Sequence, residues 1–134
     1  MLDYEKLFPK EFNIHLDRIG YGSFADVYKA KYEFPTNKEL QNVALKIFRI
    51  AGKDEEMIKE CKVSVVTGNT KHVVTTYGLL KAPLGLSMAM EHDEGPSLGA
   101  ILRDHSIQLQ IQQQGRWLLH IALGMQHLHK LLPQ

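Results

Sequence analysis

The chain has 134 residues, 44% of them hydrophobic, 23% charged and 8% aromatic, with sixteen basic residues against fifteen acidic ones and a net charge of +1. That length can bury a core, and the balanced charge excludes the electrostatic footprint of a nucleic-acid or anionic-membrane binder. One cysteine, Cys61, excludes an internal disulfide, and no run approaches the ~18 apolar residues that span a bilayer.

The first residues, MLDYEKLFP, carry acids where a secretory signal is basic and lack its apolar run. A cytoplasmic protein is therefore expected, with residues 1–12 as a leader ahead of the first strand. Asn13 to Gly20 reads as a strand running into a glycine turn. Ala25 to Tyr32 reads as a second strand, rich in types that suit a pleated surface. A polar loop punctuated by Pro35 follows, then a third strand from Val43 to Ile50. From Gly52 to Val66 the spacing is helical, with Met57, Cys61 and Val65 recurring every fourth residue. Asp54 is placed to cap that helix, and Glu55 with Lys59 to form an i,i+4 pair. Val73 to Leu80 and Leu86 to His92 make a hairpin across residues 82–85.

From Ser97 the period changes. Ser97 to Asp104 reads as a short helix. Gln110 to Lys130 reads as a long one, with Ile111, Leu118, Ile121, Ala122, Met125 and Leu128 on one stripe. The glutamines around its start, Gln108 to Gln114, read as a solvated first turn. There is no internal repeat. His127 and His129 stand two apart on the helix and cannot share a face, so no metal site is expected there.

Chemistry concentrates in two places. Gly20 and Gly22 form a G-x-G pattern with Ala25 where a third glycine would fall. Small residues at this spacing let backbone approach a phosphate closely, although a plain hairpin turn uses the same residues. A dinucleotide-binding fingerprint would need a helix after the glycines and an acid about 20 residues on. Residues 27–32 are strand-like instead, and Glu39 falls in a polar loop. A Walker loop is excluded because no Gly-Lys-Ser/Thr follows. On the next strand, Val43-Ala44-Leu45-Lys46 puts Ala44 and Lys46 on one face. The small residue leaves room for a flat base, and the lysine supplies a point charge for phosphates.

In order and spacing these residues resemble the protein kinase family. The resemblance implies an α+β fold: a five-stranded antiparallel sheet with one helix over residues 13–92, a hinge at 93–97, and two helices of a truncated C-lobe over 98–134. It implies that Ile19, Gly20, Gly22 and Val27 roof an ATP site, that Ala44 packs on adenine and that Lys46 holds phosphate. Glu60 matches the glutamate that orients the lysine, and Glu56 lies one turn earlier. Met90 matches the gatekeeper, the backbone of Glu91 and Asp93 the adenine-bonding hinge, and Ser97 a position near the ribose. Trp117 and the ending from Gly124 to His129 resemble the tyrosine-kinase-like branch of Ser/Thr kinases.

The 134 residues hold no H-R-D-x-x-x-x-N or D-F-G segment, and Arg103-Asp104 belongs to the short helix. The resemblance therefore implies an ATP-binding part of a Ser/Thr kinase domain whose Mg ligands and catalytic residues are absent from these residues. A truncated pseudokinase acting as a binding module, through another kinase chain or by self-association of the last helix, is the alternative. An unrelated nucleotide-binding protein is the third reading. Neither a nucleic-acid nor a membrane partner is expected.

Overall fold

The computed structural model describes residues 13–34, 38–49, 52–68, 70–82 and 85–131. The expected leader, Pro35, Ile50, the turn residues Pro83 and Leu84, and residues 132–134 lie outside them. Five strands, β1 (Asn13–Tyr21), β2 (Ala25–Glu33), β3 (Leu40–Phe48), β4 (Thr76–Ala82) and β5 (Gly85–Glu91), form one sheet with the order β1-β2-β3-β5-β4. Every neighbouring pair is antiparallel. Helix α1 (Asp54–Thr67) joins β3 to β4, and α2 (Leu98–Arg103) and α3 (Ile111–Leu131) follow the sheet. The α+β architecture expected from the sequence is the one observed.

Two strand starts shift by three residues from expectation. β3 begins at Leu40, because Leu40, Gln41 and Asn42 pair with Glu33, Tyr32 and Lys31 across the hairpin. The ladder satisfies backbone groups irrespective of side-chain polarity, so polar composition hid this extension. β4 begins at Thr76 instead of Val73, whose N–H turns back to the Thr70 carbonyl at 3.4 Å.

Alternation along β3 separates two cores. On one face Leu45 stands opposite Ala89 and packs with Ala30, Tyr32, Val43 and Leu80. Phe34 closes this cluster, edge-to-face with Tyr32 at 4.8 Å and with Tyr77 at 5.0 Å. On the other face, Met57 and Cys61 of α1 pack on Leu79 and Met88. The four-residue spacing read from the sequence is thus the buried stripe of α1.

The cap expectation fails. Lys53 occupies the N-cap without a side-chain capping bond, and Asp54 is the first residue of the helical turn. Asp54, Glu55 and Glu56 instead place three acids at the positive end of the helix dipole. At α2 the cap is Ser97, whose Oγ accepts from the Ala100 N–H at 3.1 Å.

Helix α3 touches the sheet half along a narrow seam. Gly124 is buried against the carbonyl of His72, where a Cβ would stand 2.8 Å from that oxygen. The rings of His72 and His120 lie 5.0 Å apart. Leu118 is 67% exposed, and Ile121 and Met125 are exposed too, whereas Leu128 is partly covered.

Replacing Leu45 by alanine should lower the unfolding free energy by about 2–5 kcal/mol, since a fully buried leucine leaves a cavity its strand neighbours cannot close. Urea denaturation measures it, and a loss below about 1 kcal/mol would contradict the central place given to this side chain.

Candidate functional site

The ladder registers carry one row of residues across the sheet: Gly20 is opposite Val27, Val27 opposite Lys46, and Lys46 opposite Met88. Directly opposed residues share a face, so the glycine turn, the valine and the lysine converge on the side that α1 covers. Between them lies a cavity of about 750 Å³. Gly20, Gly22, Val27, Lys46 and Glu60, five of the sequence-predicted site residues, line it.

The turn is tight. The N–H of Gly22 bonds to the carbonyl of Ala25 at 2.9 Å, and a Cβ on Gly22 would stand 3.1 Å from that carbonyl oxygen. A side chain at this position would press on that oxygen, so the turn favours glycine. Ser23, Phe24 and Ala25 complete this wall, and Phe24 is exposed at the tip.

Lys46 donates from Nζ to Glu60 Oε1, forming an ion pair between β3 and α1. Its ammonium also stands 5.7 Å from the Phe48 ring centroid. Glu56, one turn earlier on α1, is at the mouth of the cavity and pairs with Lys53. Of the two acids, Glu60, the one favoured by its spacing in the sequence, is the one that reaches the lysine. Beside Glu60, burial pushes the Cys61 thiol up and the neighbouring carboxylate adds to it, so this cysteine is a core residue without a ready thiolate.

The remaining predicted residues lie off the cavity wall. Ala44 stands opposite Met90, one step along the same face from Lys46 and Met88. Ile19 is exposed on β1. The N–H of Glu91 bonds to the Thr75 carbonyl at 2.9 Å, and its carboxylate accepts from the Thr75 N–H at 2.7 Å. Asp93 folds its carboxylate onto the Gly95 N–H at 2.8 Å. Ser97 is engaged as the cap of α2.

Sequence reasoning missed the residue that ties this segment to the sheet. Glu94 accepts from Lys29 Nζ at 3.1 Å and from Asn42 Nδ2 at 2.6 Å, with His92 Nε2 at 3.7 Å. The hydrogen bond from Lys29, with that lysine's charge, Asn42 and His92 adding to it, holds the Glu94 carboxyl below its usual range. No local signal could disclose a pairing 65 residues apart.

Residues 14–131 match the model of the family described as protein tyrosine and serine/threonine kinase. Two proteins of Dictyostelium discoideum are similar to this chain. A probable protein kinase is 30% identical over 125 residues, covering 92% of this chain and 16% of that protein. Stress-activated protein kinase alpha is 29% identical over 119 residues, covering 89% of this chain and 18% of that protein. The chain therefore spans less than a fifth of the length of either relative.

Because the Glu94 carboxyl is held down in the folded state, its contacts favour the folded chain fully above the ordinary glutamate range. That contribution is lost as pH falls through the lowered folded value. A carboxyl-carbon NMR titration should place its midpoint below that of an exposed glutamate, and Lys29→Met should move it up; an unmoved midpoint would discard the clamp.

Proposed function

Since this chain belongs to the protein tyrosine and serine/threonine kinase family, we propose that its cavity binds ATP as part of a domain that phosphorylates protein serine or threonine. The observation that carries the reading is the Lys46–Glu60 ion pair inside a cavity walled by a two-glycine turn. The volume falls within the roughly 300–1,000 Å³ usual for small-molecule sites. Lys46 would hold the α- and β-phosphates while Glu60 fixes the direction of its ammonium. Ala44, Val27 and Ile19 would flank the adenine, with Met90 behind it. The Glu91 carbonyl and the Asp93 backbone would bond the base edge, and Ser97 would lie near the ribose. In this reading residues 13–92 are the N-lobe, 93–97 the hinge and 98–134 the start of the C-lobe.

Phosphoryl transfer is mainly positioning plus electrostatic stabilisation, and these residues would supply the positioning of the donor. Magnesium would arrive with the nucleotide and neutralise phosphate charge. The base for the substrate hydroxyl would come from the catalytic-loop segment that the family carries after its long helix. Cytoplasmic action on soluble substrates accords with this chemistry. Among the described residues no helix is long and apolar enough to cross a membrane.

The exposed apolar side chains of α3 favour a second reading, a binding module that docks on another kinase chain or on its own copy. Calorimetric titration with Mg-ATP separates the nucleotide reading from its competitors. Lys46→Met should weaken binding by about tenfold or more, the loss of one charge-assisted contact to phosphate; equal affinity in the variant would remove ATP from this site. The 134-residue polypeptide by itself should transfer no phosphate to protein, and Lys46-dependent phosphorylation by purified material would refute that.

A further inference from the structure

The glycine turn is held from the side opposite the cavity. Asp26 precedes Val27 and stands opposite Ile47, so it faces away from the row that contains Val27 and Lys46. Its carboxylate is buried, with Oδ1 3.8 Å from Arg49 Nε and 4.0 Å from Arg18 Nη1. Arg49, just past β3, donates from its own N–H to the Phe24 carbonyl at 3.1 Å and from Nη2 to the Gly22 carbonyl. Three strands thus meet at this turn through one acid and two guanidinium groups.

The Gly22 carbonyl and the Ser23 N–H belong to one planar peptide, and no cis peptide occurs among the described residues. In a trans peptide the two groups point in opposite directions. Arg49 draws the carbonyl to the outer face, so the Ser23 N–H is directed to the inner face, where Ser23 lines the cavity near Lys46. Among the described residues no acceptor takes this N–H. We infer that Arg49, braced by Asp26, is a positioning residue that aims the Ser23 amide at an anionic group of the ligand, a phosphate oxygen beside Lys46. The identity of that ligand rests on the nucleotide reading above; the orientation of the peptide does not. Glycine-flanked backbone is otherwise free to rotate, and fixing the peptide before the ligand arrives removes part of the ordering cost of binding.

The test uses the ¹⁵N-labelled 134-residue chain, the residual dipolar coupling of the Ser23 N–H, and NMR titrations with ADP and with adenosine. Arg49→Met should change the Ser23 coupling and weaken ADP about tenfold while leaving adenosine unchanged, because only the phosphates meet the amide. Arg49→Lys, which keeps a charged donor, should retain ADP affinity within about threefold. An unchanged coupling in Arg49→Met, or equal weakening of ADP and adenosine, would overturn the inference. Should the wild-type chain bind neither ligand, the nucleotide reading fails and the phosphate role with it; a coupling that still moves in Arg49→Met then upholds Arg49 as the residue that sets the peptide. If Arg49→Met alone does not fold, Asp26→Asn/Arg49→Met, which leaves no stranded carboxylate, carries the same comparison.

Discussion

The ion pair between Lys46 and Glu60 exists because Met57 and Cys61 dock α1 on the sheet. Those two side chains bury against Leu79 and Met88 and fix both the depth and the rotation of the helix. Glu60, adjacent to Cys61, is then carried about 100° around the axis, to the side where Lys46 stands on β3. An ion pair this open to water adds little stability of its own. Its geometry is imposed by apolar packing, so the apolar stripe of α1 decides which acid meets the lysine.

The same economy of placement operates across the sheet. Opposed registers line up Gly20, Val27, Lys46 and Met88 on the α1 side, while Leu45, Val43 and Ala89 build an independent core on the other. The cavity wall can therefore be formed by glycines and a partly exposed lysine without weakening the packed side. Polar ties hold the two ends of the cavity face: Arg49 and Asp26 at the turn, and Glu94 with Lys29 and Asn42 after β5. Both connect segments distant in sequence, so motion of the turn or of residues 92–96 is resisted by the sheet itself.

Helix α3 stands in a different energetic position. Its seam with the sheet half includes a buried glycine and two imidazoles tilted against each other, a small area for a helix of 21 residues. Most of its aliphatic side chains face solvent. A groove of about 290 Å³ against α2, lined by Trp117 and Ile121 with Leu98 and Ile101, is a further place where it meets its neighbours.

Much of this was legible beforehand. The period of two in β3 put Ala44 and Lys46 on one face, and the period of four in α1 identified Met57 and Cys61 as buried, because both patterns express backbone geometry that any context preserves. The spacing of the glycines, lysine and helix acid identified the family, since those residue types have few joint uses in that order. Register was not legible: polar residues Gln41 and Asn42 entered β3 because the hairpin ladder continued, and ladder bonds do not read side chains. The preference for Glu60 over Glu56 was legible from its spacing to Lys46; the depth at which α1 sits, which lets the two side chains meet, was not. The roles of Arg49, Asp26 and Glu94 were decided only by tertiary structure, for a charged side chain acquires its partner from the crossing of strands far apart in sequence, and composition and periodicity carry no record of that crossing.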